Sequence, residues 1–309
     1  MAMMKIKKRI EQPANYSSVF FGGKTLRIPL NASKPITELR FPEFYDVSFG
    51  NKCRGGCKFC YASASKSGIN YKNIAQKLQD FFGQMTENQR PTQTACGGES
   101  DSLENPECWE AMEVMHDLGI VPNITTNGIL IDEKNTALIK KFCGGAAVSV
   151  YNHTTKHWKR AVSMLSEAKI KLNLHIIVSD KKSVASLRKL YTEFVRDNNM
   201  VEYLVLLPYM NVGLAANNPK QIDFDGLSKF LDEVYSEGRL AFGANFYPYL
   251  KNNKEKYNVG IYPPEIFSKY LVLNDDMEVF NNSFSRTKVP FTHENGCELG
   301  HSRVSFEIP

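Results

Sequence analysis

The sequence has no apolar run of the ~18 residues that a bilayer crossing needs. Met1 to Ile10 is basic but lacks the apolar stretch of a secretory signal. No segment is low in complexity, and nothing repeats along the chain. Seven cysteines in 309 residues, three of them crowded together, do not make a disulfide framework. These absences exclude a membrane-spanning helix bundle, a solenoid and a disulfide-stapled secreted domain. We expect a cytoplasmic protein, with its thiols kept reduced and no membrane partner. Net charge is also small, at +5. The one local cluster, Lys5, Lys7, Lys8 and Arg9, lacks interleaved aromatics and reads as a solvated tail. Nucleic acid is therefore not an expected partner.

What the sequence does contain is a steady alternation of short apolar runs and amphipathic stripes. Strands are expected at Tyr45–Phe49, Thr92–Cys96, Val121–Thr125, Ala146–Val150, Lys171–Val178 and Val201–Leu207. Helical stripes follow, such as Ile74, Leu78, Phe81 and Phe82, or Leu227, Phe230, Leu231 and Val234. Asn105 with Pro106, then Asp132, Ser183 and Asp225, are the expected helix caps, and Gly119 and Gly238 the expected stops. Six strand–helix pairs predict a parallel sheet with helices on one side. Six are too few for the closed eight-unit barrel. The expected class is α/β, an open (β/α)6 partial TIM barrel over residues 45–238. Residues 1–44 read as a short N-terminal cap with a hairpin, Tyr16–Phe21, Gly22-Gly23 and Lys24–Leu30. Residues 239–309 read as a C-terminal extension that closes the barrel. It holds a candidate strand within Leu240–Phe246, a loop over Tyr247–Pro264 and a hairpin of Tyr270–Leu273 with Met277–Phe280.

In such folds sites form at the C-terminal ends of the strands. After the first strand comes Cys53-Arg54-Gly55-Gly56-Cys57-Lys58-Phe59-Cys60, three thiols at CxxxCxxC spacing. Thiolates at this density select iron–sulfur clusters or zinc. A structural zinc site wants four ligands, and no fourth Cys or His lies nearby in sequence. Three ligands on a four-iron cluster leave one iron open. A zinc-stabilised binding module and a non-catalytic iron–sulfur sensor remain the competing readings.

This loop, with the aromatic Phe59 before its third Cys, resembles the hallmark of the radical S-adenosylmethionine (radical SAM) superfamily. The resemblance implies that Cys53, Cys57 and Cys60 ligate one [4Fe–4S] cluster. It implies an enzyme that reductively cleaves S-adenosylmethionine to a 5′-deoxyadenosyl radical, which abstracts hydrogen from a peptide, protein or small-molecule substrate. An electron donor such as flavodoxin or ferredoxin is the implied partner. Gly97-Gly98-Glu99 looks like the family's motif for the methionine amino group, and Thr126-Asn127 like its ribose-facing run. Ser149 falls where the family often has Ser near the ribose or methionine carboxylate. Arg160, ahead of Lys156 and Lys159, is the expected partner of that carboxylate. Leu207 begins a segment resembling the one that packs on adenine, with Phe59 covering the same base. His175 is a candidate contact to substrate or S-adenosylmethionine, and equally an interior His. Cys96 and Cys297 are candidate hydrogen donors, whereas Cys108 and Cys143 read as packing.

Overall fold

The computed structural model describes residues 7–11, 15–21, 24–31, 33, 40–151, 156–246, 249–250, 253, 256, 270–282, 284 and 287–297. Its centre is one curled sheet. Strands β4 (Phe44–Val47), β5 (Gln93–Cys96), β6 (Val121–Thr126), β7 (Ala146–Ser149), β8 (Leu172–Val178), β9 (Tyr203–Pro208) and β10 (Leu240–Phe242) pair in sequence order, all parallel. Helices α1 (Ile74–Gly83), α2 (Cys108–Asp117), α3 (Glu133–Phe142), α4 (Lys156–Glu167), α5 (Lys181–Leu190) and α6 (Phe224–Val234) fill the crossovers. The six expected units are present, and the open partial barrel with them. The parallel ladder then runs past Gly238, because β10 registers against β9 through Leu240, Ala241 and Phe242.

Alternation along the strands explains the curl. In β4, Tyr45 and Val47 are fully buried under the helices, whereas Phe44 and Asp46 are half-buried and face inward. Tyr45 meets Phe81 and Phe82 of α1 edge-on, at centroid distances of 6.1 and 5.5 Å. Leu174, Leu204 and Leu206 repeat the outward pattern on β8 and β9. Each such side chain contributes about 1.5–3 kcal/mol on burial. With helices on the outer face only, the inner face encloses a cavity instead of a second helix layer.

With β10 at the β9 edge, the rest of the extension after Gly238 adds to the opposite edge. Strand β11 (Tyr270–Leu273) pairs parallel with β4, and β12 (Val279–Phe280) pairs antiparallel with β11. The expected hairpin is thus built into the main sheet. A small hairpin, β13 (Phe291–Thr292) with β14 (Gly296–Cys297), packs on the lead-in to β4, where the Cys297 amide donates to the Arg40 carbonyl at 2.6 Å. At the N-terminus β1 (Lys7–Glu11), β2 (Tyr16–Phe21) and β3 (Lys24–Pro29) form a separate antiparallel sheet. Lys7, Lys8 and Arg9 are therefore part of a strand rather than of a tail. The Gly22-Gly23 turn, Lys5, and most of the loop expected over 247–264 lie outside the described residues. Among the described residues no helix is long and apolar enough to cross a membrane.

Two helix starts differ from the sequence reading for one reason: a cap sits three residues before the N–H it accepts. Asp180, not Ser183, caps α5, accepting from the Ser183 amide at 3.1 Å. Asp223, not Asp225, caps α6, accepting from the Gly226 amide at 3.1 Å. Asn105 precedes α2 as a tie: its amide donates to the carbonyls of Phe49 and Tyr71, both at 2.8 Å, and its oxygen accepts from Glu107 N. Asp132 caps α3 as expected.

Candidate active site

The connection from β4 to α1 carries the three thiols to the C-terminal edge of the sheet. Cys53, Cys57 and Cys60 all face one cavity of about 510 Å³ inside the half-barrel. Donors surround the sulfurs. The Gly55 amide points at Cys53 Sγ at 3.4 Å, the Ala64 amide at Cys60 Sγ at 3.3 Å, and the Asn127 side-chain amide at Cys53 Sγ at 3.7 Å. Gly55 forms a cradle: a Cβ there would lie 3.3 Å from Cys53 Sγ and 3.7 Å from Cys57 Sγ. Burial raises the Cys53 thiol and pushes Cys57 up to about 12. Bare thiolates are thus disfavoured, and a bound cation is what would hold these sulfurs ionised. Among the described residues no three His, Cys, Asp or Glu side chains close on a single-ion position. The loop thiols instead share a cavity with room for a larger group, and donor chemistry, N–H contacts and cradle fit a thiolate-held cluster.

The loop is clamped from outside. Glu104 accepts from the Arg54 amide at 3.0 Å and takes its guanidinium in a fork, at 2.8 and 3.0 Å. Leu214 N donates to Cys60 O at 2.9 Å, which brings the segment after β9 against the loop. Gly213 makes that approach feasible, since its φ is +61° and a Cβ would lie 2.1 Å from Tyr61 O.

Asp101 organises the opposite wall. It is buried, and one carboxylate oxygen accepts from Thr126 Oγ1 at 2.7 Å and Asn127 N at 2.8 Å. Burial raises its pKa, while these donors and Leu103 N pull it down. Asp101 thereby fixes Thr126 and Asn127 beside the sulfurs. Glu99 is buried and accepts from Tyr71 OH at 2.6 Å. The Gly98 carbonyl accepts from Tyr61 OH at 2.9 Å, and Gly97 packs on Thr125.

Gly98, Glu99, Thr126 and Asn127 therefore lie on the same cavity as the three thiols. So do Phe59, Ser149, His175 and Leu207. Phe59 meets Tyr151 edge-on at 5.3 Å, and beyond this pair a second cavity of about 390 Å³ opens, lined by Lys58, Ile176, Tyr209 and Lys220 among others. Desolvation lowers His175 to about 4, so its imidazole is neutral.

Four expected residues do not line this cavity: Gly97, which packs against Thr125 behind Gly98, and the three that follow. The Arg160 guanidinium holds the β6–α3 turn, donating to the carbonyls of Ile129 and Ile131 at 3.3 and 3.1 Å. Cys96 is fully buried on the helix side of β5, because strand alternation turns Ala95 inward instead. Its thiol contacts Thr94 Oγ1 at 3.8 Å. Cys297 packs outside the cavity, lining a surface hollow with Arg40, Phe81, Phe291 and His293.

Other cavity residues escaped the sequence reading. Asp46 faces inward from β4, makes no hydrogen bond to a described residue, and is raised to about 7 by desolvation. A carboxyl in the middle of Phe44-Tyr45-Asp46-Val47 is the signal that marks it. Asn281, Asn282 and Phe284, from the extension after β12, also line the cavity, and Phe284 stacks at a tilt on Tyr61 at 4.7 Å.

No family model matches the chain, and no curated protein matches its sequence. Solved structures do match. SuiB of Streptococcus suis bound to S-adenosylmethionine aligns with a TM-score of 0.66 at 13% identity, over 93% of this chain and 85% of that one. SuiB bound to the precursor peptide SuiA gives 0.62 at 15% identity, over 81% of this chain and 62% of that chain, so this chain spans less than two thirds of it. The protein anSMEcpe with bound AdoMet and the Cp18Cys peptide gives 0.58 at 14%, over 80% and 75%. At these identities the likeness establishes the fold: an open partial barrel, as the resemblance to the radical SAM superfamily implied.

Proposed function

We propose that this chain is a radical SAM enzyme acting on a peptide or another amine-bearing substrate. The observation that carries the reading is the convergence of Cys53, Cys57 and Cys60 with Glu99, Asn127 and Ser149 on one cavity at the strand ends. The three thiols would hold a [4Fe–4S] cluster. With S-adenosylmethionine, that cluster supplies reductive cleavage to a 5′-deoxyadenosyl radical, the species that takes a hydrogen atom from substrate. The chain's own residues position and exclude water. Glu99 offers a carboxylate to the methionine ammonium. Ser149 and Asn127 offer neutral donors and acceptors to ribose or carboxylate, in a cavity with no Lys or Arg among its described lining residues. Phe59 and Leu207 supply apolar faces for a base.

The same lining bears on substrate class. Glu99 and Asp101, joined by Asp46 once it ionises near pH 7, place acidic groups around a cavity with no Lys or Arg among its described lining residues. Such a field favours ammonium, guanidinium or neutral amide groups over phosphates. That supports a peptide or amine over a nucleotide, in keeping with the precursor peptide bound by SuiB and the peptide bound by anSMEcpe.

The test is anaerobic reconstitution. Iron and sulfide are expected in the wild type, with dithionite-driven release of 5′-deoxyadenosine from S-adenosylmethionine. Neither is expected from Cys57→Ala. Zinc without iron would replace this reading with a binding module, and an iron–sulfur protein that releases no nucleoside would be a sensor.

A further inference from the structure

The outward side of the thiol loop differs sharply from its cavity side. Between Val47 and Gln79 the sequence has six Lys or Arg and not one Asp or Glu, in a chain whose 33 acids elsewhere come roughly every nine residues. Within the loop the side chains alternate. Lys52, Arg54 and Lys58 are exposed, whereas Cys53 and Cys57 between them are half-buried and face the cavity. Two of the six cations are neutralised: Arg54 by Glu104, and Lys77 by Asp275 at 2.6 Å. Lys52, Lys58, Lys66 and Lys72 form no salt bridge with a described residue and are exposed.

This face is also held in shape. The Ile69 carbonyl accepts from the amides of Asn51 and Lys52 at 3.0 and 3.2 Å, and Lys52 bridges to Ser65, beside Lys66. Ile69 itself is 64% exposed, an apolar tip whose carbonyl holds the Lys52 amide, with the exposed Lys66 and Lys72 three residues to either side in the chain. An exposed aliphatic centre with a single-sign charged rim is suited to a small, transient, electrostatically steered interface. Among the described residues from Phe49 to Tyr71 no aromatic is exposed for base stacking. Phe49 is buried, Phe59 and Tyr61 face the cavity, and Tyr71 bonds Glu99. The face is tied to the thiol loop itself: Lys52 directly precedes Cys53, and the Cys53 amide donates to the Ser65 carbonyl at 2.8 Å.

We propose that the face formed by Lys52, Lys66 and Lys72 around Ile69 docks an acidic one-electron carrier of the flavodoxin or ferredoxin kind. The proposal rests on the cluster reading above. The carrier loses one electron and the cluster gains it, and no bond is made or broken in that transfer. Docking here places the donor on the solvent side of the loop while the cavity side stays free for cofactor and substrate.

The experiment uses reconstituted holoprotein, with 5′-deoxyadenosine release driven either by dithionite or by flavodoxin reduced through its reductase. For the Lys52→Glu/Lys66→Glu pair, the flavodoxin-driven rate is expected to fall about tenfold or more, with the dithionite-driven rate within about twofold of wild type. The neutral pair Lys52→Gln/Lys66→Gln should fall in between. The wild-type flavodoxin-driven rate should also drop as salt rises from about 50 to about 300 mM. Equal flavodoxin-driven rates in wild type and the Glu pair overturn the proposal. So does a Glu pair that loses both rates alike while the Gln pair matches wild type in both. Calorimetric titration of oxidised flavodoxin into the holoprotein reads docking without turnover, and a surface that binds single-stranded oligonucleotide but not flavodoxin also overturns it. Loss of the wild-type dithionite reaction instead strikes the enzyme reading, so the two failures are distinguishable.

Discussion

Cys53, Cys57 and Cys60 line an open cavity, whereas Cys96, Cys108 and Cys297 are buried in apolar packing and Cys143 rests on Met112 Sδ at 3.6 Å. Desolvation pushes Cys57, Cys96 and Cys108 alike up to about 12. Acidity therefore does not distinguish Cys57 from Cys96 and Cys108; surroundings do. The loop thiols have room in front of them and N–H groups around them, so a metal cation can offset their desolvation. Cys96 and Cys108 lie in the apolar core, off that cavity, and behave as small apolar side chains.

The largest effect is expected where that contrast is tested directly. Cys57→Ala should lose the visible iron–sulfur absorbance and bring S-adenosylmethionine cleavage to background. Cys96→Ala should keep both, at a stability cost of about 1–2 kcal/mol. Iron analysis, nucleoside release and thermal melts of the two variants side by side decide it. A Cys96→Ala protein that binds iron but yields no 5′-deoxyadenosine would restore a chemical role to the core thiol.

The next contrast involves two glycines of similar backbone. Gly213 and Gly238 have φ of +61° and +70°, but an added Cβ at Gly213 would strike Tyr61 O while at Gly238 it would meet nothing within 4 Å. Gly238→Ala should cost about 1 kcal/mol, the ordinary penalty of a left-handed residue. Gly213→Ala should cost more than about 2 kcal/mol and lower the iron retained per chain, because it pushes the post-β9 segment off the thiol loop. Similar melting temperatures and iron contents for the two would mean that this contact does not brace the loop.

The same contrast between local pattern and tertiary placement separates what was legible in the sequence. Six strand–helix units and the thiol loop follow from periodicity and short spacing, which need only neighbouring residues, and the Gly98-Glu99 and Thr126-Asn127 runs were marked by their resemblance to the radical SAM pattern. Arg160 was misplaced because three cations within five residues compete, and only the fold shows which one the Ile129 and Ile131 carbonyls hold. Cys96 was misplaced although period-2 alternation was available: with buried Thr94 on its own side and half-buried Ala95 between, it belongs to the helix face. Cys297 depends on a contact with Arg40, 257 residues earlier in the numbering, which no local pattern carries. Asp46 is the opposite case. A charge inside an apolar strand was visible, but its meaning required knowing that the inner face of the sheet borders a cavity.

Asp46 and His175 allow the gentlest probe of the two faces, because both point inward and titrate in opposite senses. Asp46 is raised from 3.8 to about 7, and His175 lowered from 6.5 to about 4. Between about pH 4 and 6.5 the folded Asp46 keeps a proton that the unfolded chain has lost, so its contribution to stability falls as pH rises. In the same window unfolded His175 binds a proton that the folded form refuses, so its contribution rises with pH. The two slopes oppose, and these groups together leave metal-free wild type nearly flat. Asp46→Asn removes one arm, and stability should then climb with pH by about 1.4 kcal/mol per unit or less across that window. His175→Gln removes the other, and stability should decline by a similar amount, with little change relative to wild type above about pH 7. Urea melts of the apo proteins from pH 4 to 8 read both slopes. If neither single variant tilts the profile, the inner wall is as well solvated as the outside of the protein, and neither group feels the desolvation that burial in the half-barrel implies.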